Sequence, residues 1–286
     1  MKIFRLFIIS ILIYPQIASA QFFEIGLGIG GSVYYGDLSP DEAADNFKLV
    51  RPALGVFASH HFNDRVAFQL GIQNFTLAGD DKINSKENLK YRNLSFRSNV
   101  WEIALKGEFY ILPFDPERME LPISIYVSSG IAGFFHNPKA FFAGTYHALQ
   151  PLSTEGQGLS SFPERKPYKL AQIAIPAILG LKYNVSPTIS LFIEFGPRFT
   201  FTDYLDDVSS TYAVGDELRE ERGDLAFNLS DRRILPDGEP KKYEDRAQRG
   251  NPKSNDMYFA GLLGVSVALD DILGNTFGHR VKCPKF

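Results

Sequence analysis

"TISLFIEFGPRFTFT", Thr188 to Thr202, reads as two sequences interleaved. Ile189, Leu191, Ile193, Phe195, Phe199 and Phe201 hold the odd positions. Ser190, Glu194, Gly196, Arg198, Thr200 and Thr202 hold the even ones, with Phe192 and Pro197 as the two exceptions. A period of two is the signature of a β-strand with two unlike faces. Here one face is continuously apolar and the other carries charge.

Seven further segments repeat the pattern. Phe23–Tyr35 sets Phe23, Ile25, Leu27, Ile29, Val33 and Tyr35 against Glu24, glycines and Ser32. A second segment has Leu54, Val56, Ala58 and Phe62 on one side, and a third opposes Val66, Phe68, Leu70 and Ile72 to Gln69, Gly71 and Gln73. The fourth, within 93–112, sets Trp101, Ile103, Leu105, Phe109 and Ile111 against Glu102, Lys106 and Glu108. Ile123, Ile125, Val127 and Ile131 mark the fifth, and Ile173, Ile175, Leu179, Leu181 and Tyr183 the sixth. The segment quoted above is seventh, and Phe259, Leu263, Val265, Val267 and Leu269 mark the eighth. Helical spacing fits none of them.

The connections alternate in length. Asn63-Asp64, the 113–120 link and Val185-Ser186-Pro187 are short; 36–50, 78–92, 136–167 and 203–255 are long. Eight strands joined alternately by short and long links are expected of an up-and-down outer-membrane barrel with short periplasmic turns and long outer loops. A soluble sandwich or lipocalin also alternates, but its apolar face points inward. The presumed inner face carries Glu24, Glu102, Lys106, Glu108, Lys182, Glu194 and Arg198, charges that a soluble hydrophobic core would not tolerate. So many charges on the opposite, presumed inner face favour the membrane arrangement, as do aromatics gathered near strand ends. An eight-stranded barrel is filled by its own side chains, so these charges are expected to pair as a plug. That argues against a general porin.

The chain of 286 residues opens like an exported protein. Lys2 and Arg5 precede an apolar run from Leu6 to Tyr14, and Ala18-Ser19-Ala20 resembles a cleavage site, so residues 1–20 read as a signal peptide. Gln21, not a cysteine, comes directly after that site, which disfavours a lipid anchor; the barrel is expected over 21–270 and a periplasmic tail over 271–286. Losing Lys2 and Arg5 moves the net charge from −3 to −5, which gives no footprint for nucleic acid. The single cysteine, Cys283, excludes an internal disulfide framework. No later stretch offers 18 consecutive apolar residues, so the crossing element is the strand, not the helix. The tail carries His279, Arg280, Lys282 and Lys285 with Phe277 and Phe286, suited to docking a partner or to signalling barrel insertion.

Three stretches invite a chemical reading. Asp203, Asp206 and Asp207 crowd the start of the longest loop, but without the spaced acids and central glycine of a calcium loop. A hydrogen-bonding cluster at the loop base is expected instead. Ser59-His60-His61 raises a barrel hydrolase or acyltransferase, yet alternation sends His60 outward and His61 inward, with no acid partner or G-x-S-x-G motif. Leu27-Gly28-Ile29-Gly30-Gly31 lies within a strand and precedes no helix, so its glycines serve interior packing rather than a dinucleotide. No catalytic, cofactor or metal residues are assigned.

Taken in order, "YYGDLSP" (34–40), "NLSFRSNVWEIALKGEFYILPF" (93–114), "HNPKA" (136–140), "LQPLSTEGQG" (149–158), "FTDYLDDVSSTY" (201–212), "RGNPKSND" (249–256) and "KCPKF" (282–286) resemble the PorG family. The resemblance implies an outer-membrane barrel of the type IX secretion system of Bacteroidota-type bacteria, associated with a periplasmic ring of PorK and PorN. It carries no catalytic residues across. A surface-binding or structural barrel unrelated to secretion is the alternative, and a lipid-modifying barrel enzyme a third. The charged, turn-rich region 215–248 resembles nothing.

Overall fold

The structure is a computed structural model and describes residues 21–117 and 119–269. The expected signal peptide, the tail over 271–286 and Cys283 lie outside those residues.

Eight long strands close into an antiparallel barrel: β1 (Phe22–Tyr35), β2 (Arg51–His61), β3 (Val66–Asp80), β4 (Ser95–Tyr110), β5 (Ile123–Phe135), β8 (Ala171–Asn184), β9 (Ile189–Thr200) and β10 (Met257–Ala268). Each pairs with the next in this order, and β10 pairs back to β1 from Glu24↔Ala268 to Tyr35↔Met257. No barrel strand is left with a free edge. The ladder between β8 and β9 lapses opposite Pro197, which has no N–H to give. A short hairpin, β6 (Pro138–Phe142) and β7 (Thr145–Ala148), extends β4 beyond the barrel through Arg97↔Lys139.

The tight turns form as their residues dictate. Asn63 Oδ1 accepts from the amides of Arg65 and Val66, each at 2.8 Å, and Phe62 N–H closes on Val66 O at 3.0 Å. This is the local bonding that suits asparagine to turns.

The polarity is inside-out. Leu27, Ile29, Ile103, Leu105, Leu179, Ile193, Phe195 and Leu263 are exposed on the outer wall. All seven charged side chains singled out in the strands are buried in the lumen. The outward apolar residues run from Trp101 on β4 to Ile111 just past its end; ten residue steps tilted at about 40° rise about 25 Å, the height of a lipid-facing band. The chain is a membrane-spanning barrel of the outer-membrane type, and no helix among the described residues is long and apolar enough to cross.

The lumen is packed by rings and ion pairs. Lys182 Nζ and His61 Nε2 meet Glu24 Oε2 at 2.5 and 3.0 Å. Lys106 faces Glu194 at 3.5 Å, and Arg198 faces Glu102 at 3.9 Å. Tyr126, Tyr258 and Tyr110 donate to Glu194, Glu102 and Glu108 at 2.7, 2.5 and 2.8 Å. Phe57 and Phe192 meet edge-on at 5.2 Å. The glycines of β1 make room for them: a Cβ on Gly26 would stand 2.3 Å from the Phe57 ring, and one on Gly28 3.0 Å from Phe192. Phe192, the exception in the quoted stretch, is therefore core.

Candidate functional site

The four long links do not trail as open loops. They fold together over one end of the barrel, and the sequence stretches quoted above supply the joints.

Tyr34, at the end of β1, places its hydroxyl 2.7 Å from Asp206 Oδ2 and 2.8 Å from Asp256 Oδ1. One hydroxyl proton cannot serve both contacts, so the pair is satisfied when one carboxyl is itself protonated. Asp256 Oδ2 also accepts from Leu205 N–H and Asp206 Oδ1 from Val208 N–H, at 2.9 and 2.8 Å. These bonds fold the start of the longest loop back onto the barrel mouth.

Arg249 is the second joint. It is buried, reaches Glu155 Oε1 at 3.1 Å and Asp207 Oδ2 at 3.4 Å, and donates to the backbone oxygens of Asp207 and Ser230. Asp207 further accepts from Thr154 at 2.5 Å and Tyr168 at 2.7 Å. Glu155 accepts from the amides of Ser209 and Ser210 at 2.9 and 3.0 Å. The third joint is Arg92, which forks onto Asp81 at 2.8 and 2.7 Å and donates to Asp37 O and Arg249 O. A fork of this kind fixes direction as well as distance.

Burial sets the charge states. It raises Asp206 and Asp256 well above the usual carboxylate range, and the charge of Asp206 pushes Asp256 further. Burial also lifts Asp207 to about 6 against the pull of Arg249, and Asp203 to about 7. The guanidinium of Arg249 loses water to burial, yet Glu155 and Asp207 hold its proton more tightly than usual.

Of the three aspartates picked from sequence, Asp206 and Asp207 are joints of this cap, and Asp203 stands beside them. The expected hydrogen-bonding cluster is what forms. Its distant partners, Tyr34, Glu155, Arg249 and Asp256, were not identified from sequence, although each falls in a quoted stretch. Among the described residues no group of three or more His, Cys, Asp or Glu is arranged to hold a metal ion.

The Ser59-His60-His61 stretch divides as its alternation dictates. His60 packs on the outer wall between Phe23 and Phe62, at ring distances of 4.4 and 4.7 Å. His61 is buried against Glu24 and stacks on Phe22 at 4.2 Å. Ser59 Oγ is buried and has no hydrogen-bond partner, so neither histidine is poised to activate it.

The region 215–248 contains one structured element that was not anticipated. Helix α1 (Gly215–Ser230) buries Leu218, Ala226 and Leu229 on the cap and is broken at Gly223, whose φ is 87°. The β6–β7 hairpin likewise forms within a stretch read as loop.

The domain of unknown function DUF6089 matches residues 2–222. The chain belongs to the DUF6089 family. The match takes in β1 to β9 and the first half of the cap, while β10, Arg249 and Asp256 lie past it. No curated protein matches this DUF6089 chain. Among solved structures it is similar to Neisserial surface protein A, at 9% identity over 87% of this chain and 99% of that one, with a TM-score of 0.41. It is also similar to the outer membrane protein OprG from Pseudomonas aeruginosa (9% identity, 87% and 96% coverage, TM-score 0.39). A major outer membrane protein from Thermus thermophilus gives 15%, 87%, 99% and 0.37.

Proposed function

We propose that this DUF6089 barrel is an outer-membrane component of the type IX protein secretion machinery, holding its periplasmic ring of PorK and PorN. The observation that carries the reading is the lumen. Ion-paired side chains and aromatic rings fill it, and the cap folds over the end bearing the long loops. A barrel closed in this way serves as a fixed body in the membrane rather than a path through it. The family resemblance of the quoted stretches names the machine that such a body would anchor.

The test is affinity purification of the tagged full-length protein from mildly solubilised envelopes, with the wild type beside a chain lacking Lys282–Phe286. The wild type is expected to bring the ring proteins with it. The truncated chain, still folded and membrane-located, is expected to bring less. An intact wild-type barrel recovered without them would leave the alternative, a surface-binding barrel with no part in secretion.

A further inference from the structure

Two clefts of about 430 and 450 Å³ meet on the outer wall where β3 and β4 leave the apolar band. They share Arg97, Lys139 and Tyr146. Arg97 and Lys139 are direct cross-strand partners on the outward face, and both are exposed. Like charges opposed in this way destabilise a ladder. Neither makes an ion pair or hydrogen bond among the described residues. Lys82 and Arg232 line the second cleft and extend the positive field, with Asp80 as the one carboxylate lining it.

We propose that this double cleft binds the phosphate-bearing headgroup of an anionic membrane lipid, whose acyl chains lie down the wall below. Its depth is right for that occupant. Trp101 and Phe135 are register partners lining the first cleft, and Ile103 and Leu105 continue below them as bare apolar wall. Arg97 lies four residues beyond Trp101, about 13 Å along the strand and about 10 Å along the membrane normal after tilt. That places the two cations at the headgroup layer, and their long stems can reach back towards it. Asn137 also lines the first cleft, and its buried Oδ1 has no hydrogen-bond partner among the described residues. Phe141 and Tyr146, edge-on at 5.3 Å, line the second cleft. The inference rests on the barrel alone and stands apart from the secretion reading.

The full-length protein, folded in detergent and checked for heat-modifiable mobility, would be mixed with diphosphoryl lipid A and read by native mass spectrometry. Retained lipid A should fall at least fivefold in Arg97→Gln/Lys139→Gln and persist in the charge-keeping Arg97→Lys/Lys139→Arg. It should also persist in Lys90→Gln/Lys253→Gln, which removes two exposed cations elsewhere. Equal retention in the first pair, or equal loss in the last, overturns the proposal. So does displacement of the lipid by equimolar inorganic phosphate, which would make the cleft a site for the free ion. A readout on the unaltered chain uses Trp101, its only tryptophan. In vesicles, brominated phosphatidic acid should quench it more than brominated phosphatidylcholine at equal mole fraction, and equal quenching counts against the site.

Discussion

Replacing Lys182 with methionine removes a charge from the lumen while keeping most of the side-chain volume. The ammonium lies 2.5 Å from Glu24 Oε2 and 4.6, 5.5 and 5.6 Å from the ring centres of Phe114, Tyr110 and Tyr126. Both ionic partners are fully buried. Taking one member from such a pair costs about 3–5 kcal/mol, because the buried carboxylate left behind keeps only His61 beside it, at 3.0 Å. Loss of the ring contacts falls within that figure, at about 0.5–2 kcal/mol. Glu24→Gln/Lys182→Met removes both charges together and should return to within about 1 kcal/mol of wild type. The two single changes should therefore be strongly non-additive, far beyond the ~0.5 kcal/mol scatter of independent sites. Urea unfolding in lipid vesicles measures this, with Trp101 fluorescence as the probe, since that residue faces outward at 56% exposure. A single Lys182→Met costing under about 1 kcal/mol would sink the argument, as would a double variant no better than the single.

On the outer wall, Leu191→Arg or Ile193→Arg should cost about 2–4 kcal/mol near the bilayer midplane, and Ser190→Thr on the inner face far less; equal tolerance of both faces would remove the membrane. Trypsin added to intact cells should cut after Lys241 or Lys242, which are exposed, and spare the link over 113–120; the reverse pattern would invert the barrel. Cap stability should rise as pH falls from about 8 to 5.5. Burial lifts Asp203 to about 7 and Asp207 to about 6, and raises Asp206 and Asp256 as well, and a folded state that binds protons more tightly gains stability as pH drops. Amide exchange over 205–212, corrected for intrinsic rate, reads the sign, and faster opening at low pH would contradict it.

What could be read from sequence was whatever depends on parity along one strand. The buried charges, the outward His60, the inward His61 and the packing glycines all follow from counting by two, because neighbouring side chains on a strand must take opposite faces. The β6–β7 hairpin escaped because Pro138 and Gly144 punctuate a stretch too short to show a period. Helix α1 escaped for another reason: its sequence is charged nearly all round, and its contacts with the cap, not its pattern, hold it. The cap joints lay beyond reach on separation alone. Arg249 and Glu155 are 94 residues apart, and Tyr34 and Asp256 are 222 apart. An aspartate cluster announces that partners are needed without saying which they are. Only the barrel, by bringing the four long links to one end, chooses them.

The contrast between inside and rim bears on where this protein meets the rest of the cell. Opening the lumen would require parting contacts such as Glu24–Lys182 or Glu194–Lys106, and one buried pair broken at about 3 kcal/mol leaves the open form below about one per cent. Opening from the capped end would in addition free Asp206, Asp207 and Arg249 from their partners. Side chains committed in this way cannot also recognise a ligand. Arg97 and Lys139 are different, since they face outward, oppose each other and are neutralised by no carboxylate among the described residues. Two opposed cations left without a carboxylate partner on the outer wall are free to meet a charge outside the chain. Arg97 stands four residues beyond Trp101 and the apolar wall of Ile103 and Leu105, a level at which the membrane's own anionic surface is the first thing it meets.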